Sequence, residues 1–191
     1  HSPGLAKRES ALTLSRMVHF TLFGIPVYIR PSFWVVLAIF GGALSISSVE
    51  DLIYPALFVI AGFIAILSHE MGHALVGRKL GGGQQTIVLE LFGGLTSSHG
   101  MQLTRGGRAL MILAGPMMTL LLGIISLWLT WNIVAPVMAS YNLNFWDLAI
   151  SPFTAALISP KLYILSCLIM IGEWWTILNL LPIYPLDGGQ L

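Results

Sequence analysis

Residues 52–79 read LIYPALFVIAGFIAILSHEMGHALVGRK, an apolar run that carries His69, Glu70 and His73 in its last third and closes on Gly77-Arg78-Lys79. At 1.5 Å per residue, a helix from about Leu52 to Val76 is long enough to cross the roughly 30 Å of hydrocarbon in a bilayer. A stretch this long and apolar all round has no polar face to offer water. The rest of the chain agrees, since 56% of its 191 residues are hydrophobic and 9% are charged, against roughly 25% charged in an ordinary soluble domain. Several packed spans in lipid are therefore expected, with the bilayer as the first partner.

Upstream of this run, a first span is expected to begin after Pro31 with Phe33-Trp34-Val35-Val36-Leu37. It fades near Ser45 to Ser48, ahead of Glu50 and Asp51. Downstream, Gly81-Gly82-Gly83 breaks the helix. Gln85 to Ser98 then reads as two short extended runs, Thr86-Ile87-Val88-Leu89 and Leu95-Thr96-Ser97, joined as a hairpin through Gly93-Gly94. A third span covers roughly Ala109 to Val134, where Ala114-Gly115-Pro116 permits close helix approach or a kink. Residues 136–160, which include Trp146 and Asp147, read as a surface-lying or partly inserted segment. A last span runs from about Leu162 to Leu181 and stops at Pro182 and Pro185. The expected fold is an all-α polytopic membrane protein of about four transmembrane helices, with a membrane-associated β-hairpin between the second and third.

His1 to Arg16, which precedes Met17, reads as the remnant of a cleaved tag, leaving 17–191 as a single transmembrane core. Met17 to Arg30 is too short and too punctuated for a signal peptide. The net charge of +1 gives no reason to expect nucleic acid. In a four-span arrangement, Arg30, Arg78, Lys79, Arg105 and Arg108 fall on one side and Lys161 on the other, which predicts a cytoplasmic N-terminus. The C-terminal ends of the second and last spans then share that side, so their polar clusters can meet.

In His69-Glu70-Met71-Gly72-His73 the two histidines stand at i and i+4, which puts both imidazoles on one helical face within reach of one metal ion. In this pattern the glutamate does not bind the metal. It takes a proton from an attacking water and delivers it to a leaving amine. The bland alternative is a pair of neutral histidines that hydrogen-bond to neighbouring helices. Ionisable groups inside a bilayer cost about 2.5–3.5 kcal/mol each on insertion scales, whereas a zinc site contributes on the order of 10 kcal/mol. Cys167 is the only cysteine, so a metal must rest on histidines and carboxylates. Catalytic zinc takes three protein ligands and leaves a fourth position open. The third ligand expected here is Asp187, the only carboxylate in the proline-broken stretch Asn179 to Gly189; its alternative is a turn aspartate ahead of Gly188-Gly189.

These two motifs resemble the site-2 protease family of intramembrane zinc metalloproteases. His69-Glu70-Met71-Gly72-His73 matches that family's zinc helix, and Asn179 to Gly189 matches its N-x-x-P-x-x-x-L-D-G signature. The resemblance implies one zinc per chain on His69, His73 and Asp187, with Glu70 as catalytic base. It also implies that Leu91 to Ser98, with Gly93 and Gly94, folds beside the site and offers a strand edge to substrate; an interfacial connector is the alternative. A helical substrate must unwind before cleavage, and an open edge can pair the exposed backbone. Ala114-Gly115-Pro116 resembles a further family feature, A-G-P-x-x-N, but Thr119 stands where asparagine is usual. The family commonly continues past the point where this sequence stops, which leaves open whether the core is C-terminally truncated.

The reaction so implied is hydrolysis of a peptide bond within or near the transmembrane segment of a membrane-anchored protein. The competing class is a membrane zinc-binding or zinc-transport protein, although a transport path would spread polar residues through the membrane instead of gathering them near one end. Asn179 has two readings, a donor to an oxyanion or substrate backbone and a cap on its own helix. Glu173, an intramembrane carboxylate, reads either as functional or as protonated and bonded to a neighbouring helix. His99 reads as a surface histidine, with an extra metal ligand as the alternative. The six tryptophans suit interfacial anchoring or span packing. Nothing in the sequence indicates an oligomeric state.

Overall fold

The computed structural model describes residues 17–81, 83–91, 93–100, 102–141, 144–184 and 186–190, side chains at 137–141 excepted. The suspected tag, residues 1–16, lies outside them, as do Gly82 and Pro185. The chain opens with strand β1 (Val18–Leu22) and strand β2 (Ile25–Ile29). Phe23 and Gly24 join them, both at positive φ, as the tightest two-residue hairpin turns require. Helix α1 (Pro31–Phe40) follows, then helix α2 (Ile53–Gly81), strand β3 (Gln84–Glu90) and strand β4 (Gly93–His99). Helix α3 (Arg105–Tyr141), the short helices α4 (Phe145–Ile150) and α5 (Pro152–Ala156), helix α6 (Pro160–Leu180) and a terminal turn α7 (Asp187–Gln190) complete the chain.

Two expectations are corrected. The first concerns the number of spans. Among the described residues, three helical stretches, Glu50–Gly81, Arg105–Pro136 and Pro160–Leu180, are long and apolar enough to cross a membrane. The expected first span contains only the ten residues of α1, about 15 Å of helix. Gly41 ends that helix and Gly42 stands at φ 89, so the apolar run breaks before it reaches spanning length. The second concerns the sheet. The hairpin β3–β4 is part of a four-stranded sheet in the order β1-β2-β3-β4. Gly93 and Gly94 start β4 instead of forming its turn, and pair with Glu90 and Leu89.

The sheet exists because β2 and β3 each alternate. Ile25, Val27 and Ile29 are buried on one, and Gln85, Ile87 and Leu89 on the other. Their parallel pairing runs from Val27↔Ile87 to Ile29↔Leu89. Pro26 lies just outside that ladder, so its missing N–H costs no bond there. The apolar face packs with Phe33 and Leu37 of α1 and with Ile66, Leu67, Met71 and Ala74 of α2. The sheet is thereby held against the half of α2 that carries the histidines.

Small residues set the helix packing. A methyl group at Gly62 would overlap Leu37, and one at Gly72 would overlap the Ala114 carbonyl and Met118. The close approach expected at Ala114-Gly115-Pro116 is therefore present. Thr119 and Thr176 are buried and their hydroxyls lie 2.6 Å apart, which ties α3 to α6. Thr119 thus acts as a bond between helices. Replacing both threonines with valine in a double-mutant cycle should reveal a coupling of about 0.6–2 kcal/mol in reversible unfolding in detergent.

At the far end, Tyr54 donates to the Ala156 carbonyl and packs edge-on against Tyr163. The starts of α2 and α6 therefore lie together, and so do their C-terminal ends. Residues 145–156 form α4 and α5, which bury Leu148, Ala149 and Ala155 against Val134 and Leu162 while exposing Trp146 and Phe153. They do not make a span, as expected for this segment.

Candidate metal centre

One turn of α2 places His69 and His73 side by side, their Nε2 atoms 3.0 Å apart and both residues buried. Asp187 comes to them from 118 positions along the chain, with Oδ2 3.0 Å from His69 Nε2 and 3.2 Å from His73 Nε2. What brings it there is a tight reversal after α6. A methyl group at Gly188 would overlap the Leu180 and Leu181 carbonyls, and one at Gly189 would overlap Ile183 and Tyr184. The glycine pair after Asp187 lets the chain fold back onto the end of α6.

The donor set fits a cation. His73 Nδ1 lies 2.8 Å from the Met111 carbonyl; a carbonyl only accepts, so Nδ1 holds a proton and a neutral His73 presents the Nε2 lone pair to its neighbours. Burial alone would raise the Asp187 carboxyl, but positive charge at the facing imidazoles, when they are protonated, holds it at about 2, and a shared cation would act in the same sense. The carboxylate is therefore charged at neutral pH. Protons on both facing Nε2 atoms would oppose each other, whereas one shared cation leaves none of the three atoms opposed. Nitrogen and oxygen ligands about 2.0–2.1 Å from a tetrahedral zinc lie about 3.3 Å apart, close to the separations found here. The zinc chemistry expected of these three residues therefore fits the geometry.

Glu70 points to the same cavity, about 580 Å³ in volume, but from the side of β4. Thr96 Oγ1 lies 2.7 Å from its Oε2, and Gly94 packs so closely that a methyl group there would overlap Glu70 Cγ, Cδ and Oε1. Gly93, at φ 126, does the same for the Trp175 ring. The sequence reading gave Thr96 no role and treated Trp175 as an anchor or packing residue. Alternation from Gly94 would have put Thr96 on the same face of the strand. Trp175 sits about one and a half turns of helix before the end of α6 and walls the cavity together with Leu178.

The remaining candidates divide. Asn179 lines the cavity, and its side-chain amide donates to the Trp175 carbonyl one turn back along α6 at 2.8 Å. Glu173 is exposed on the outer side of α6 and does not line the cavity. His99 is exposed at the end of β4, opposite Gln84.

The sequence pattern of peptidase family M50 matches residues 57–191. Zinc metalloprotease MJ0392 of Methanocaldococcus jannaschii is 29% identical over 173 residues, which cover 90% of this chain. A relative from Synechocystis is likewise 29% identical over 90% of this chain. The chain spans less than half the length of these curated relatives, 43% of the first and 41% of the second. Among solved structures, the site-2 protease from Methanocaldococcus jannaschii superposes with a TM-score of 0.60 at 26% identity, over 91% of this chain and 68% of that one.

Proposed function

Because the chain belongs to peptidase family M50, we propose that it is an intramembrane zinc metalloprotease that hydrolyses a peptide bond within or near the transmembrane segment of a membrane-anchored protein. The observation that carries this reading is the meeting of His69, His73 and Asp187 beside Glu70, in a cavity bordered by the edge strand β4. His69, His73 and Asp187 would hold one zinc per chain. A zinc ion so bound supplies Lewis acidity, which brings the pKa of water to about 7 and polarises a carbonyl.

Glu70 is the proton carrier in this reading. It faces the cavity without belonging to the three-atom cluster, so its carboxylate is free to accept a proton from water and return it to the leaving amine. The substrate must arrive extended, because a helix locks its own carbonyls. β4 is an edge strand of the sheet, and its residues Gly93, Gly94 and Leu95 line the cavity, which supports its use as the pairing edge. Asn179 is close enough to the cavity to turn its amide toward substrate backbone. Gly94→Ala tests the crowding at Glu70: cleavage should fall by about 100-fold, as expected for an ångström of misplacement, while zinc content stays at one per chain.

Residues 17–191 would act as one core. Arg30 and Arg78 bond to Glu90 and to the Phe23 carbonyl at the sheet end of the bundle, while Lys161 begins α6 at the opposite end. That bias supports a cytoplasmic N-terminus and a cleft on the cytoplasmic side.

Proteoliposomes that enclose a zinc-sensitive dye, supplied with a labelled single-span polypeptide, separate this reading from zinc transport. Polypeptide cleavage without dye response is expected. Dye response without cleavage would replace the protease by a zinc carrier.

A further inference from the structure

We infer that Thr96 is the positioning residue for the catalytic carboxylate, holding Glu70 from the edge strand through one hydroxyl hydrogen bond; this rests on Glu70 carrying the proton. Thr96 Oγ1 has two oxygens within reach, Glu70 Oε2 at 2.7 Å and the Glu70 backbone carbonyl at 3.2 Å. A hydroxyl has a single proton to donate. It goes to the shorter contact, where the acceptor is a carboxylate and the bond is charge-assisted. The carboxyl group is then held from two positions on the same face of β4. Gly94 supplies the space against Cγ, Cδ and Oε1, and Thr96 supplies the donor to Oε2. Engaging Oε2 leaves Oε1 as the oxygen with spare acceptor capacity toward the cavity, which Glu70, Gly94 and Thr96 all line.

A threonine suits this position better than a serine. Its branched Cβ fits an extended strand and restricts χ1, so the hydroxyl is aimed before Glu70 arrives. Leu95, between the two contacts, is 57% exposed on the other face. The strand proposed to take substrate at its edge is thus the strand that sets the base, and a displaced β4 would loosen both.

The test compares wild type with Thr96→Val, Thr96→Ser and Glu70→Gln, each as the full zinc-loaded chain in detergent. Isotope-edited infrared spectra of protein carrying 13C-glutamate, with the Glu70→Gln spectrum subtracted, isolate the Glu70 carboxyl band. That band should shift in Thr96→Val and return in Thr96→Ser. With a quenched-fluorescent polypeptide carrying one apolar segment of about 20 residues, Thr96→Val should lose about 10- to 100-fold in kcat, the scale of one charge-assisted hydrogen bond. KM should stay within about twofold, and Thr96→Ser should recover most of the loss. An unshifted band in Thr96→Val, or a normal kcat with the band shifted, overturns the positioning role. Absence of cleavage by zinc-loaded wild type would instead sink the protease reading, and the infrared comparison would still decide the contact.

Discussion

Glu70→Gln should keep one zinc per chain and lose about 10²- to 10⁴-fold in kcat, the range that general acid–base groups contribute. The substitution is nearly isosteric. The glutamine amide oxygen can still accept from Thr96, which lies 2.7 Å from Glu70 Oε2, and the side chain still fits against Gly94. What is lost is the ability to take a proton. Since Glu70 is not among the three clustered residues His69, His73 and Asp187, metal content should not change. Elemental analysis beside steady-state kinetics checks both halves. A variant with zinc and full activity would remove Glu70 from the reaction, and a variant without zinc would make it a ligand.

Asp187→Ala should weaken zinc binding by about 100-fold or more, beyond the 10- to 100-fold typical of groups that only orient a ligand. Asp187 supplies the one anionic atom to a cluster otherwise made of two imidazole nitrogens 3.0 Å apart. Without it the nitrogens face each other with no carboxylate to balance a cation. Because metal binding is linked to folding, each tenfold loss of affinity at fixed free zinc also removes about 1.4 kcal/mol of zinc-derived stability. Chelator competition and thermal unfolding with and without zinc read the two effects. Wild-type affinity in Asp187→Ala would return this residue to the turn-aspartate alternative.

The helices and the cluster were largely legible because each depends on a local pattern. The apolar runs around α2, α3 and α6 announce themselves by length, and the i, i+4 histidines by the helical repeat. Asp187 could be chosen because no other carboxylate stands near the chain reversal, and Gly188 and Gly189 show why the reversal is tight enough. The remainder of the sheet was not legible for a physical reason. β1 and β2 are five residues each, Pro26 interrupts the strand signal, and the parallel partner of Val27 is Ile87, a pairing no local window contains. The overcounted span has a similar cause. Residues 31–48 have the composition of a membrane helix, but Gly41 and Gly42 stop it after α1. Thr96 was hidden because its partner, Glu70, belongs to another element, and a strand threonine carries no signal until that partner is known.

The most direct measurement is mass spectrometry of the products formed when the purified chain is reconstituted with a single-span membrane polypeptide, before chelation, after chelation and after zinc is returned. The account predicts a cut inside or beside the apolar segment that disappears with chelation, returns with zinc and never forms with Glu70→Gln. Products that persist in the metal-free protein, or no products from zinc-loaded wild type, would contradict it.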